Sequence, residues 1–191
     1  MSQNLNGIDV EALQGFARLV ESKAEKGAVR FGVATQWKGG THSVTEVSSY
    51  ELGGVKIDRN FEIAVDEPVE LLGRNKAANP QELLLAAMNA CMTVGYVATA
   101  AMMGVTISSL TIKASGMLDL RGFLDLNQQI KPGYDSLDYE VIVEGDGTPE
   151  QFSQIHEAVV RTSPNRWNIA NAIRLNAKLT INVASNAAEV G

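Results

Sequence analysis

The fold is decided by residues 79–104, which read Asn79-Pro80-Gln81-Glu82 followed by LLLAAMNACMTVGYVATAAMMG. Asn79 suits the N-cap of a helix, Pro80 its first position, and Glu82 the acid of a capping box. Gly104 suits the residue just past the helix end, because glycine readily adopts the left-handed backbone that often terminates helices. The stretch therefore predicts one helix of about 24 residues, roughly 36 Å long.

This long helix is apolar on every face, so it must lie inside a protein core or in a membrane. A membrane span is the weaker interpretation, because Asn89, Thr93 and Thr99 interrupt the apolar run and no basic flank marks either end. Small residues on several faces would also let other backbones approach closely. We therefore expect no membrane partner, and a central helix that is packed by sheets or by a partner subunit.

Helix-like and strand-like patterns surround the long helix on both sides. Pairs of glycines separate the strand-like runs that precede it, which is typical of turns in an antiparallel meander. The order α-βββ-α-ββ-α-β predicts the α+β class with largely antiparallel sheets. We expect a helical extension at 1–28, one domain at 29–185 and a flexible tail at 186–191. The predicted elements are, in order, a helix at 9–26; strands Val29–Trp37, Ser43–Tyr50 and Val55–Val65; the long helix; strands Ile107–Leu118 and Leu137–Glu144; helices Pro149–Arg161 and Arg166–Ala172; and a strand at Leu175–Val183.

The composition is ordinary for a globular protein, with 191 residues, 45% of them apolar and 20% charged. The net charge of −6 disfavours nucleic acid and anionic membranes as partners, since both need a basic face. A single cysteine excludes an intrachain disulfide and Cys-rich zinc sites, and the two histidines have no metal-site spacing. No nucleotide-binding or hydrolase motif is present, so we expect neither a metal nor another cofactor. The polar start has no signal-peptide pattern, which favours the cytoplasm.

Cys91, near the middle of the long helix, is the strongest candidate for a chemically reactive residue. A lone cysteine between Ala90 and Met92 on an apolar helix is often only a small buried hydrophobe. A functional cysteine needs a lowered pKa, and therefore a cationic neighbour. The helix contains no Arg or Lys, so such a neighbour must come from elsewhere in the fold or from another chain.

The run Asn79-Pro80-x-Glu82 through Cys91 resembles the signature of the OsmC/Ohr family, the osmotically inducible and organic-hydroperoxide-resistance proteins. The resemblance covers roughly residues 29–184 and leaves out the N-terminal helix. Further runs resemble one OsmC-like subgroup: Asp66-Glu67-Pro68, Leu71-Leu72-Gly73, Leu118 through Leu124, and Pro132-Gly133-Tyr134.

The resemblance implies an intertwined α+β homodimer in which two central helices lie buried between sheets. It also implies a thiol peroxidase. The helix cysteine, here Cys91, attacks the distal oxygen of a hydroperoxide and becomes a sulfenic acid. In the family an arginine and a glutamate hold the thiolate and the peroxide. A second cysteine then forms a disulfide, which a dithiol reduces.

Two departures from the family pattern bear on this chemistry. Where the second cysteine would stand, this chain has Ser163, so an external thiol would have to reduce the oxidised Cys91. Where the glutamate would stand, ten residues before the cysteine, this chain has Gln81. Gln81 lies about 80° from Cys91 around a regular helix, whereas Glu82 lies nearly opposite. Glu82 is therefore also interpreted as the capping-box acid alone.

The arginine has three candidates: Arg59 in the strand before Asp66, Arg74 in the loop before the long helix, and Arg166. Each is equally well interpreted as a solvated surface charge. Met88 and Trp167, with Ser163, would line an apolar substrate pocket, although such residues are more often plain core.

The sequence thus predicts a cytoplasmic homodimer that reduces organic hydroperoxides with Cys91 and an external thiol. The alternative is a protein of another class, a small-molecule-binding or redox-sensing protein in which Cys91 is inert or slow.

Overall fold

The computed structural model describes residues 4–182 and begins with a tight hairpin. Strands β1 (Asn4–Leu5) and β2 (Ile8–Asp9) pair antiparallel through Asn6 and Gly7, whose φ angles are 56° and 77°. Two positive φ angles are typical of the type I′ turn that matches the twist of a hairpin. The Asn6 side chain donates to Val105 O at 2.8 Å and accepts from Ile107 N–H at 2.9 Å. The hairpin is thereby fixed to a distant part of the chain.

Helix α1 (Val10–Ser22) follows at once and accounts for most of the helix expected at 9–26. Asp9 caps it by accepting from Ala12 N–H at 3.0 Å. The helix ends before residue 26, and a 3₁₀ turn spans Ala24–Gly27.

The next four strands form one antiparallel sheet, composed of β3 (Val29–Phe31), β4 (Ala34–Trp37), β5 (Ser43–Leu52) and β6 (Val55–Val65). β5 is central, with β6 along one edge and β3 and β4 sharing the other. The prediction of a single strand at Val29–Trp37 is therefore wrong, since the segment forms two strands that are separated at residues 32–33. Gly32 lies at the break, and glycine weakens a strand because it has no side chain to pack against its neighbours.

A bulge interrupts the pairing of β5 with β6. Val47 pairs with Phe61 and Ser49 with Asp58, so Arg59 and Asn60 together oppose one residue of β5. An extra residue of this kind re-aims the side chains around it.

The four-stranded sheet packs extensively against no helix within residues 4–182. As a result, apolar side chains on both of its faces are exposed to solvent. The exposed apolar side chains of its strands are Val29, Phe31, Trp37, Val55, Ile57, Phe61 and Ile63.

Helix α2 (Pro80–Met102) confirms the long helix and its start. Asn79 Oδ1 accepts from Glu82 N–H, and Glu82 Oε2 accepts from Asn79 N–H, both at 2.8 Å. Gly104, with φ of 73°, follows its end. The helix is long and apolar enough to meet a length-and-hydropathy criterion for a membrane span, with a mean hydropathy of 1.6. Core helices of other proteins meet the same criterion.

The remaining elements cover one side of α2. Strands β7 (Ile107–Gly116) and β8 (Leu137–Gly145) pair antiparallel, with the short helix α3 (Leu120–Phe123) between them, and helices α4 (Pro149–Thr162) and α5 (Pro164–Ala170) follow. The buried core consists of Met88, Met92, Tyr96, Ala100, Val105, Ile155 and Val159. The other side of α2 remains uncovered and exposes Leu84, Val94 and Met102.

The last expected strand is absent from the part of the chain that the structure describes. Residues 171–182 have no regular secondary structure, and Leu175, Leu179 and Ile181 are exposed. The prediction of a strand at Leu175–Val183 is therefore wrong over 175–182. Alternating apolar residues can form the apolar face of a strand, but a strand also needs a neighbouring strand to pair with. Val183 and the tail at 186–191 lie outside the described residues. The α+β class and the antiparallel pairing are confirmed.

Candidate functional site

Cys91 lies half-buried on α2 and contacts the junction between α4 and α5. Ser163, which is 4% exposed, forms that junction, and its hydroxyl donates to Cys91 Sγ at 3.4 Å. The two residues are 72 positions apart in the chain. Sequence reasoning placed Ser163 here only through the family resemblance, and the structure brings its hydroxyl to the cysteine sulfur.

The backbone of Ser163 belongs to both helices. Its N–H donates to Val159 O at 2.9 Å, which closes α4, and its carbonyl accepts from Trp167 N–H at 3.0 Å, which opens α5. Pro164 at the first position of α5 needs no hydrogen-bond acceptor there. Asn165 then fixes α5 to α2, since its Nδ2 donates to Ala87 O at 2.9 Å. The hydroxyl is therefore held at the sulfur by three helices.

None of the candidate arginines hydrogen-bonds to Cys91. Arg59, at the bulge in β6, extends over the rings of Phe61 and Tyr50, with its guanidinium carbon 4.8 and 5.8 Å from their centroids. Arg74 is exposed in the loop before α2. Arg166 on α5 is occupied elsewhere, as described below. Among residues 4–182, no Lys or Arg side chain hydrogen-bonds to Cys91.

A buried carboxylate shapes the loop that presents Arg74. Asp66, 1% exposed, accepts from Thr41 Oγ1 at 2.6 Å, from Glu67 N–H at 3.0 Å, and from the N–H groups of Arg74 and Lys76 at 3.2 Å each. These hydrogen bonds, that of Thr41 above all, hold the pKa of Asp66 below its ordinary value. Sequence reasoning quoted Asp66 only as part of a motif and missed its organising role. An aspartate followed by a loop that contains Gly73 and Asn75 was the available signal.

The two residues at the start of α2 also lie away from the sulfur. The Glu82 carboxylate is engaged in the capping box, more than two helical turns before Cys91. Gln81 is exposed. The structure brings neither of them to Cys91, and their catalytic roles stay predictions.

The two expected pocket residues differ in their surroundings. Met88 is buried in the core cluster, whereas Trp167 on α5 is 52% exposed and lies one turn beyond Ser163. Only Trp167 is therefore open to a ligand that approaches from solvent. No group of three or more metal-ligating side chains occurs within residues 4–182.

The OsmC-like protein family model matches residues 73–182. The match spans α2 with Cys91, strands β7 and β8, and the α4–α5 junction with Ser163. It covers more than half of the chain, and the protein therefore belongs to the OsmC-like family.

Solved structures show the same fold. An OsmC-like protein from Mycoplasma pneumoniae is 13% identical, with a TM-score of 0.58 over 74% of this chain and 87% of that one. An osmotic stress induced and detoxification response protein from Psychrobacter arcticus is 15% identical, with a TM-score of 0.54 over 71% and 85%. An OsmC-like protein from Vibrio cholerae is 17% identical, with a TM-score of 0.50 over 72% and 91%. The chain matches no curated protein in sequence.

Proposed function

We propose that this protein is a thiol peroxidase that reduces organic hydroperoxides with Cys91 as its only redox-active residue, in line with a stress-defence role for the family. The observation that carries the proposal is the contact between Cys91 Sγ and the Ser163 hydroxyl on a half-buried helix position. A hydroxyl that donates to sulfur favours the thiolate, because a hydrogen bond to the charged form stabilises that form.

The cycle consumes one hydroperoxide and two thiols. The Cys91 thiolate attacks the distal oxygen, an S–O bond forms, the O–O bond breaks, and the alkoxide takes a proton and leaves as an alcohol. An external thiol then attacks the sulfenic acid and releases water, which leaves a mixed disulfide. A second thiol restores Cys91 and carries away the disulfide. Ser163 cannot take part in this exchange, since it has no sulfur. Continuous turnover with free thiols suits the reducing cytoplasm.

The proposal includes a homodimer, which two uncovered apolar surfaces support. One is the side of α2 that exposes Val94, and the other is the four-stranded sheet. If each sheet covers the α2 helix of the other subunit, both surfaces leave water. The same arrangement would bring Arg59 of the partner subunit toward Cys91 and supply a cation there, since none of residues 4–182 of the same chain places a Lys or Arg in hydrogen-bond contact with the sulfur.

The test is the consumption of cumene hydroperoxide by the purified protein with a dithiol. We expect turnover by the wild type, none by Cys91→Ser, and slower turnover with hydrogen peroxide in place of the organic substrate. After one equivalent of hydroperoxide without thiol, intact-protein mass spectrometry should show one added oxygen that a sulfenic-acid reagent traps at Cys91.

Among residues 4–182 no Lys or Arg side chain hydrogen-bonds to Cys91, and this favours a second candidate, a binding or redox-sensing protein with a slow thiol. A thiol that stays unmodified in the folded protein after prolonged exposure to hydroperoxide would support this candidate and contradict the peroxidase.

A further inference from the structure

A cavity of about 370 Å³ lies between α2, β8 and α4, separate from the cysteine. This volume falls within the range of small-molecule sites in proteins. Tyr96, its residue on α2, follows Cys91 by five positions, about 7.5 Å along the helix and about 140° around it. The cavity therefore opens on a different face of α2. Its lining residues are Tyr96, Tyr139, Val141, Val143, Phe152 and His156.

One hydrogen-bond donor of the cavity is the imidazole of His156. The buried hydroxyl of Tyr96 pairs with His156 Nδ1. Burial raises the pKa of Tyr96 to about 12, so the phenol keeps its proton. Because this buried hydroxyl has no other hydrogen-bond partner among residues 4–182, we assign its proton to the bond with Nδ1. The hydrogen of neutral His156 then resides on Nε2, and the imidazolium carries one there as well. Nε2 is thus a donor in either charge state.

The second donor is the hydroxyl of Tyr139. Arg166 Nε donates to this oxygen at 3.2 Å, and Arg166 Nη1 donates to Val160 O at 3.1 Å. Because the Tyr139 oxygen already accepts, its own proton is free to donate elsewhere. The guanidinium behind it places a positive charge next to the cavity.

The remaining walls are apolar. Val141, Val143 and Phe152 offer surface for a hydrocarbon chain or a ring, and none of the lining residues is acidic. Two neutral donors backed by a guanidinium match a carboxylate, which accepts hydrogen bonds and carries a negative charge. We propose that this cavity binds a small carboxylate with an aromatic or aliphatic body, independently of the chemistry at Cys91.

The test is isothermal titration calorimetry of the full-length protein with 3-phenylpropanoate. The matched control ligand is 3-phenylpropan-1-ol, which is neutral. We expect saturable binding of the carboxylate and at least tenfold weaker binding of the alcohol. His156→Leu and Tyr139→Phe should each weaken the binding of the carboxylate about tenfold, because each removes one hydrogen bond to a charged group. His156→Gln, which retains a donor, should lose less than His156→Leu.

Two further variants keep the test decisive. Val141→Trp should fill the cavity and abolish binding, with its circular dichroism spectrum unchanged. Cys91→Ser should bind the carboxylate with wild-type affinity, so this site and the peroxidase fail separately. The inference would be overturned by no binding of the carboxylate at millimolar concentration, by equal affinity for the alcohol, or by binding that survives Val141→Trp.

Discussion

Replacing Val94 with glutamate should separate the proposed dimer into monomers. Val94 lies on the uncovered side of α2, and its residue surface is 69% exposed in the single chain. In a monomer, a charge at so open a position would change stability by less than about 0.5 kcal/mol. In a dimer whose sheets cover α2, the same charge would lie within an apolar interface.

The magnitude follows from the valine side chain. Burying one valine contributes about 1.5–3 kcal/mol, and symmetry places two copies in a dimer. Losing the burial of both valines makes dimer formation less favourable by about 4 kcal/mol. This corresponds to a dissociation constant raised about a thousandfold. The cost of desolvating the two carboxylates adds to this effect.

Sedimentation velocity over a range of micromolar concentrations measures the change, with circular dichroism as the test of folding. The matched control is Val69→Glu, at a valine that is 64% exposed in the 3₁₀ turn Val69–Leu71 and is not part of α2, which should leave the dimer intact. A wild type that sediments as a folded monomer would refute the reasoning. A Val94→Glu variant as dimeric as the wild type would refute it equally.

Three further results are expected. Ser163→Cys should place a thiol beside Cys91, where the hydroxyl now lies 3.4 Å from the sulfur, so hydroperoxide should form an intrachain disulfide, seen as a loss of two hydrogens by mass spectrometry. The lowered pKa of Asp66 stabilises the fold above the ordinary value of 3.8, and that stability is lost as the pH falls through the folded-state pKa. Asp66→Asn should therefore lower Tm at pH 7 and flatten the decline of Tm as the pH falls below the ordinary carboxyl value of 3.8. Asn6→Ala removes two hydrogen bonds and should cost about 1–3 kcal/mol in urea unfolding, whereas Asn4→Ala, at an exposed position, should change stability by less than about 0.5 kcal/mol.

Features that depend on neighbours in sequence were predictable. The capping box of α2 involves Asn79 and Glu82, three positions apart, and both hydrogen bonds formed as the spacing requires. The split of the first strand at Gly32 was harder to foresee, because it depends on where two segments meet the edge of β5.

Features that depend on distant partners were not predictable from the residues alone. The alternation of Leu175, Leu179 and Ile181 describes a face, but a strand exists only where another strand pairs with it. The contact of Ser163 with Cys91 spans 72 positions and was suggested only by the family resemblance. Arg59 lies on a sheet that packs extensively against no helix within the described chain, so no local pattern specifies what it meets.

The shared position of Ser163 in α4 and α5 has a consequence for the free energy of reaction at the sulfur. Because the serine backbone bonds in both helices and the residue is only 4% exposed, the hydroxyl can leave Cys91 only by rotating about its Cα–Cβ bond within a packed junction. The group beside the sulfur is therefore preorganised before any substrate arrives. A donor that is already in place costs no reorganisation when charge develops on the sulfur, and in that respect a folded junction differs from a side chain free to rotate in water.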